Sequence, residues 1–550
     1  MKKTFLALLT AAIALICINA EAAAPKKIKA PKGVTLVGYV HCEGKPMADV
    51  NVSDGVNIVK TDAEGVYRLQ SDKRFGTLFI STPAGYQTVM KDAVRPEFWK
   101  STTAEPSKRE RHDFELQRVA DKQFGMVVCT DSHFCDNKKV DDLKHYNEMM
   151  APALNDTYAA HSNIPMLTFN LGDITWDRWW YETGFSIENV PAFVSQCGLK
   201  TPYFGVIGNH DYDAATPAGA KSDIDGAMRF RRTFGPTYYS MNVGDVHIVV
   251  LDNIIYKNEV RPDQKQHVGV VGSRNYDLYV DDVQLEWLRQ DLQSVPHTTP
   301  LVICQHAPIS MRDHTGKQCY CYKKGHTEPM LTLLKDYKWV RIFSGHKHEH
   351  HSFKLEAYPN IVETNVASIA GELWKTPNKI GKNICDDGSD AGFLCCLFDG
   401  KNFSMEVVNA LNGEAAPMRL YDMNVVAKRY AESPALQHLC KLQTRQNNYS
   451  QPEYADYVYI NCWAWEDGSA LNVTENGKPL TVEQVMHSDP LAAEAIFAPA
   501  AKKRKKESKK TNMHSIVDHM FRVRCTEAGS TVRVEFTNPY GKKYLQTITR

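Results

Sequence analysis

Residues 124–133 read FGMVVCTDSH. The stretch is apolar or glycine through Cys129 and turns polar at Thr130, Asp131, Ser132 and His133. A short continuous apolar run with a polar exit predicts a strand buried on both faces. Four later stretches repeat the design: IPMLTFNLGD (164–173), PYFGVIGNHD (202–211), PLVICQHAP (300–308) and WVRIFSGHKH (339–348). Helical patterns lie between them. In DDVQLEWLRQDLQSV (281–295) an aspartate opens the segment, and Leu285, Leu288 and Leu292 share one face. Buried strands alternating with helices predict an α/β layered core. In such sheets ligands gather beyond the carboxyl ends of the strands. A hairpin-like stretch, GFLCCLFDGKNFSMEVVNA (392–410), closes the domain, which spans 120–412.

The pattern differs on both sides. Residues 33–70 alternate apolar and polar at period two, broken by Gly, Asp and Pro turn signals. This predicts a small β-sandwich over 33–118. Its TDAEGVYRL (61–69) resembles the strand–turn–strand of carboxypeptidase-regulatory-like and related Ig-like accessory domains. The region 418–550, with YADYVYINCWAW and STVRVEFTNPYG, reads as a mostly β accessory domain. The basic run KKRKKESKK (502–510) reads first as a solvated loop, or else as a contact for an anionic glycan or lipid headgroup.

Lys2 and Lys3, the apolar FLALLTAAIALICI and the small residues that follow predict a signal peptide over 1–22, cleaved after Ala20 or Ala22. The apolar run is short for a bilayer span, and no later run is long enough. Ile16 before Cys17 disfavours lipidation. The protein is therefore expected to be exported, to the periplasm, the cell surface or the medium. Lys and Arg number 65 against 64 Asp and Glu. No nucleic-acid partner is expected from that balance. The fourteen cysteines are scattered and do not read as a disulfide framework. Cys319, Cys321 and Cys385 are the candidates for a bridge. Cys129 and Cys304 read as core.

The strand-exit residues make the functional case. They are Asp131, His133, Asp173, Asn209, His210, His306, His346 and His348. Any one of these short motifs arises by chance, but five in order at five strand exits do not. Imidazole, carboxylate and amide donors without thiolate suit Zn, Fe, Mn or Ni. The donors exceed the four of a tetrahedral ion and suit two ions sharing a carboxylate. Two aspartates against about four positive charges leave the filled site cationic, which favours an anionic substrate. Four of the twenty histidines fall in 346–351. Alternation along the exit groups His346, His348 and His350. His350 and His351 have no partner in the sequence and are expected at the surface.

The ordered set Asp131-x-His133, Gly172-Asp173, Gly208-Asn209-His210-Asp211, His306, Gly345-His346-x-His348 resembles the calcineurin-like metallophosphoesterase superfamily. The whole chain is similar to exported bacterial members with accessory domains at both ends. The resemblance implies a four-layer αββα sandwich and two divalent ions. It implies Asp131, His133 and His348 on one ion, Asn209, His306 and His346 on the other, and Asp173 between them. It implies hydrolysis of a phosphoester by in-line attack of a hydroxide shared by the ions, with His210 serving the leaving oxygen rather than binding metal. Many relatives carry an acid, or a tyrosine iron ligand, three residues after the bridging aspartate. Here that residue is Trp176, and Asp177 follows it. A tyrosinate–iron centre is therefore not expected, and support of His210 by Asp177 is an open question.

TWDRWWYE (175–182) supplies rim candidates Trp176, Arg178, Trp179, Trp180 and Tyr181, and AGELWK (370–375) supplies Gly371 and Trp374. Packing against the sheet is the competing use of these residues. The favoured activity is a phosphodiesterase on a small or cell-envelope ester. The alternatives are a phosphomonoesterase, such as a nucleotidase or sugar phosphatase, and a binding protein on a degenerate hydrolase core.

Overall fold

A computed structural model describes residues 27–409, 416–443, 446–502 and 516–550. The predicted signal peptide, and all of the basic run except Lys502, lie outside the described residues.

The core begins with parallel strands β1 (Gln123–Cys129), β2 (Met166–Asn170) and β3 (Tyr203–Gly205). The hairpin β4 (Tyr239–Val243) and β5 (Val246–Val250) follows. Then come β6 (Leu301–Cys304), β7 (Val340–Ser344), β8 (His351–Leu355) and β9 (Tyr358–Asn365). A last hairpin, β10 (Gly392–Asp399) and β11 (Asn402–Asn409), closes the core. Two sheets result, ordered β3-β2-β1-β10-β11 and β4-β5-β6-β7-β9-β8.

Side-chain alternation along β1 explains the unbroken apolar run. Phe124, Met126 and Val128 point into a core shared with Ile248, Ile303 and Ile342 of the second sheet. Val127 and Cys129 point the other way, into a core with Ala151 and Leu154 of α1 (Ala151–Ala160) and Val194 of α2 (Val190–Gln196). The second sheet is packed by Trp287 and Leu288 of α3 (Asp282–Leu292) and by Met330 and Leu331 of α4 (Thr327–Leu334). The order is helix, sheet, sheet, helix. The central strands β1, β5, β6 and β7 are buried on both faces, so their runs are largely apolar, while the edge strand β11 is half-exposed. Asp281 caps α3 by accepting from the Gln284 amide at 2.8 Å. The buried face of α3 centres on Trp287 and Leu288, while Leu285 is only half-buried.

The N-terminal region is two sheets. One pairs Leu36–Cys42 with Phe114–Arg118 and Val66–Leu69, and the other runs through Asn51–Ser53 and Thr77–Ile80. It joins the core through Trp287, whose Nε1 donates to Ser53 Oγ at 3.1 Å. The C-terminal region contains two four-stranded sheets, centred on Tyr457–Asn461 with Ile516–Arg524 and on Ala470–Glu475 with Thr531–Thr537. It also contains α5 (Met423–Glu432) and α6 (Pro434–Leu442), which the sequence reading did not find. Asp422 and Ser433 cap them, and Met423, Val426, Tyr430, Leu436 and Leu439 form their buried face. The region is mostly β with a helical cluster on one sheet.

The thirteen described cysteines are free thiols. The three candidates for a bridge, Cys319, Cys321 and Cys385, are unbridged: Cys385 is buried and its thiol meets the Ser368 carbonyl. Cys129 and Cys304 are core residues, and burial pushes the Cys129 thiol up to about 12. Among the described residues no helix is long and apolar enough to cross a membrane.

Candidate metal centre

Every strand-exit motif arrives at one end of the two sheets. The chain leaves β1 through Asp131 and His133, β2 through Asp173, β3 through Asn209, β6 through His306 and β7 through His346 and His348. Five of these seven residues adopt left-handed backbone: Asp131 (φ 53°), His133 (47°), Asp173 (48°), His346 (73°) and His348 (53°). Each such conformation costs on the order of 1 kcal/mol or more and persists only where the surroundings impose it. Here the exits brace one another. The Asp131 amide donates to the Gly172 carbonyl and the His133 amide to the Asp173 carbonyl, both at 2.9 Å. The His346 amide donates to Asp131 Oδ2 at 2.8 Å, and the His210 amide to Asp173 Oδ1 at 2.7 Å.

Glycine is required where the exits touch. A Cβ on Gly345 would lie 1.9 Å from Thr130 Oγ1, and one on Gly208 would lie 2.1 Å from the Asp173 nitrogen. Asp211, the last residue of GNHD, is wholly buried and accepts from the amides of Ile174, Thr175 and Gly208. It holds two exits together and is not a ligand candidate. Burial and the nearby Asp173 carboxylate push its carboxyl up to about 7.

Three groups of side chains have ligand atoms close enough to share an ion: Asp131 with His133 and His348, His133 with Asp173 and His210, and Asp173 with His306 and His346. The ring nitrogens converge in pairs. His133 Nε2 lies 3.0 Å from His348 Nε2, and His346 Nδ1 lies 3.2 Å from His306 Nε2. Asp131 Oδ1 is buried with no hydrogen-bond partner, 3.4 Å from His348 Nε2. An unpaired buried carboxylate oxygen is costly. A cation at that point satisfies it, so these residues fit the metals that the sequence implied. Asn209 Oδ1 faces His306 Nε2 at 3.1 Å, while His306 Nδ1 donates to the Leu171 carbonyl at 2.9 Å. That second bond fixes the ring and leaves Nε2 for the site.

Electrostatics bind the cluster together. Burial alone would raise the Asp131 carboxyl, but His348 and His306 hold it at about 2. Burial would lower His348, yet Asp131 pushes it up to about 9, and Asp173 does the same for His306. Burial and the neighbouring His306 drive His346 down to about 3.

His210 Nδ1 lies 2.8 Å from Asp177 Oδ1, which settles the open question: Asp177 supports this ring. Arg274 Nη1 donates to the same oxygen at 2.8 Å. Tyr276 approaches His346 Nε2 through its hydroxyl at 3.5 Å. The sequence reading missed Arg274 and Tyr276. Arg274 precedes, and Tyr276 opens, the short strand Tyr276–Leu278, which carries no strand-exit pattern, and only the fold brings them to the site.

The rim candidates divide. Trp176 stays at the site, its ring 5.8 Å from His133 and 6.1 Å from His210. Trp179 packs edge-on to Trp176 at 6.3 Å, and the Arg178 guanidinium lies 4.8 Å over Trp179. Trp180 and Trp374 are corrections, being only 2 % and 1 % exposed. Trp180 Nε1 donates to Thr175 Oγ1, and Trp374 Nε1 to the Ser132 carbonyl between Asp131 and His133. Both support exits and neither lines a rim. Gly371 is buried in a turn against Asn383, and Tyr181 points away to Asp213. His350 and His351 are also corrections: they are 1 % and 7 % exposed, beside residues of the C-terminal region.

A buried cluster of histidine and aspartate donors at the strand exits of a double-sheet α/β core defines a metallophosphoesterase. Comparison with protein families agrees. Residues 126–350 match the calcineurin-like phosphoesterase model, 34–119 the model for the N-terminal part of such proteins, and 363–544 the model for the C-terminal part. The chain belongs to the calcineurin-like phosphoesterase family and is a metal-dependent phosphoesterase with its histidine and aspartate site intact. The C-terminal match includes β10 and β11, so that part of the chain completes the first sheet. No curated protein matches the chain. Among solved structures, a dimetal phosphatase from Danio rerio is similar at 14% identity and TM-score 0.34, over 52% of this chain and 96% of that one. A 5'-nucleotidase from Candida albicans is similar at 12% identity and TM-score 0.31, over 53% of this chain and 54% of that one. Likenesses of this size carry no inference about substrate.

Proposed function

We propose that the protein is an exported, two-metal phosphodiesterase. In this reading Asp131, His133 and His348 hold one divalent ion, and Asn209, His306 and His346 hold the other. The observation that carries it is the placement of Asp173, whose Oδ2 faces His133 Nε2 at 3.9 Å and whose Oδ1 faces His306 Nε2 at 3.3 Å. One carboxylate thus offers an oxygen to each group. Zn, Fe, Mn or Ni suits these donors. Such a pair supplies Lewis acidity and an activated water at neutral pH.

The chain's own residues do the rest. Asp177 accepts from His210 Nδ1, which turns Nε2 to the site as the atom that passes a proton to the departing oxygen. Arg274 fixes Asp177, and Asp177 is wholly buried, so the His210 ring has one orientation. Trp176, Trp179 and Arg178 extend the site beyond His210. A diester has a second esterifying group to occupy that cationic, aromatic rim, and this favours a diester over a monoester. The residues at 1–22 support export, and the flanking regions fit Ig-like and β accessory modules that contact glycan or other envelope material.

The test is metal-supplemented turnover of bis-p-nitrophenyl phosphate against p-nitrophenyl phosphate. Faster turnover of the diester is expected. Faster turnover of the monoester overturns the diester reading, and inactivity on every phosphoester with metals bound overturns the catalytic one.

A further inference from the structure

We propose that His519, in the C-terminal region, is a positioning residue for the metal-ligand loop 345–348, acting through Asp387; this rests on the two-metal reading above. His346 and His348 sit in left-handed backbone, which must be imposed from outside. Part of that constraint comes from the segment Asp386–Asp387. The Asp386 amide donates to the His348 carbonyl at 3.2 Å. Asp387 Oδ2 accepts from the His350 amide at 2.6 Å. The two bonds grip the loop on either side of Glu349.

Asp387 is itself held by the C-terminal region. His519 Nε2 lies 3.3 Å from Asp387 Oδ2, the same oxygen that grips His350. Asn461 Nδ2 donates to the Asp387 carbonyl at 2.8 Å and to Asp489 Oδ2 at 2.8 Å. Both amide protons of Asn461 are thus used, so its Oδ1 is an acceptor, and His519 Nδ1 donates to it at 2.8 Å. Asn461 and His519 lie on paired strands, with Asn461 opposite Met520. Asp387, His350, His519 and Asn461 are all essentially buried, so water does not replace a lost member. The pairs span 37 and 132 residues of sequence. The C-terminal region therefore completes the brace of a metal-ligand loop, beyond covering the core.

The experiment compares full-length wild type with His519→Ala, His519→Gln and Glu466→Gln. Glu466 forms a buried ion pair with Arg341 across the same seam but touches neither Asp387 nor the loop. Each protein is stripped and titrated with Zn²⁺ against a chromogenic chelator, and its thermal midpoint is measured. Wild type is expected to bind two ions. His519→Ala should weaken the ion that His348, which bears the gripped carbonyl, helps to hold by about 10–100-fold, and the ion of His346 less. His519→Gln retains a donor toward Asp387 and should recover most of that loss. Glu466→Gln should lower the thermal midpoint at least as far with both affinities unchanged. Wild-type affinities in a folded His519→Ala overturn the proposal. If His519→Ala does not fold, His519→Leu, which fills the space without a donor, takes its place, and wild-type affinities in that variant overturn the proposal, as does a Glu466→Gln that weakens one ion to the same extent. A wild type that binds fewer than two ions removes the two-metal reading and this proposal together.

Discussion

His210 Nδ1 lies 2.8 Å from Asp177 Oδ1, and the Arg274 guanidinium is tied to that oxygen at the same distance. A histidine in this arrangement has one free nitrogen and one orientation. His210→Ala should cut turnover about 10²–10⁴-fold, the usual worth of a placed general acid. Its metal content should stay at the wild-type level, because His210 is not needed to complete either proposed ligand set. Asp177→Asn should lose less, roughly 10–100-fold, and should change the shape of the pH–rate profile. Elemental analysis with steady-state kinetics checks both. Full activity in a metal-replete His210→Ala rules out the role.

Asp173 stands between the two groups, and its replacement has a different signature. Asp173→Asn removes half the carboxylate charge of the set and one of the two oxygens that face histidine nitrogens. Metal stoichiometry should fall, and activity with it. Wild type should gain about 2.7 kcal/mol of stability for each ion at a metal concentration 100 times that ion's dissociation constant. Asp173→Asn should gain clearly less, read as a smaller rise in melting temperature on adding metal. An equal rise removes Asp173 from the site.

The strand exits were legible because burial on both faces leaves a strand no polar positions until it ends. Hence Asp131, His133, Asp173, Asn209, His306, His346 and His348 stood out, and the structure brings them together. Three kinds of feature were not legible. Arg274 and Tyr276 stand just before and at the start of a three-residue strand paired with Ile254–Tyr256, outside the buried-strand pattern, so their position in sequence says nothing of position in space. Trp180 and Trp374 share the composition of a binding rim, but only packing shows that their indoles donate inward to Thr175 and Ser132. His350 and His351 look solvated because the partners that cover them, Asp387 and His519, are remote in sequence. Helices α5 and α6 were hidden by their length of ten and nine residues among aromatic, β-prone runs.

Gly345 tests whether contact between exits, rather than loop flexibility, governs the site. A methyl there meets Thr130 Oγ1 at 1.9 Å and Asp131 Oδ2 at 2.7 Å. The Thr130 hydroxyl donates to that carboxylate oxygen, so relief by rotation breaks a buried hydrogen bond. Gly345→Ala should cost about 1–3 kcal/mol of stability and reduce metal occupancy. Gly219, with open space around its α-carbon, is the control, and Gly219→Ala should change neither. A Gly345→Ala protein with normal metal content shows that the exits tolerate separation.

The N-terminal region carries an ionic lock with its own pH dependence. Lys73 has a fully buried side chain and pairs with Glu110, which also accepts from Thr103 Oγ1 at 2.8 Å. Burial would raise the Glu110 carboxyl, but Lys73 and Thr103 hold it down at about 2, against 4.5 for an ordinary glutamate. A depressed folded-state pKa means that the unfolded chain takes up the proton first as pH falls. The stabilisation is therefore complete above about pH 4.5 and drains away between there and about pH 2. Glu110→Gln leaves the Lys73 ammonium the Glu105 and Lys108 carbonyls and a neutral amide as acceptors, and should cost about 1–3 kcal/mol at pH 7. Urea unfolding of wild type and Glu110→Gln, compared at pH 7, 4 and 2.5, should show the gap between them narrowing with acid. A gap that stays constant over that range means that Glu110 contributes through packing and not through its charge.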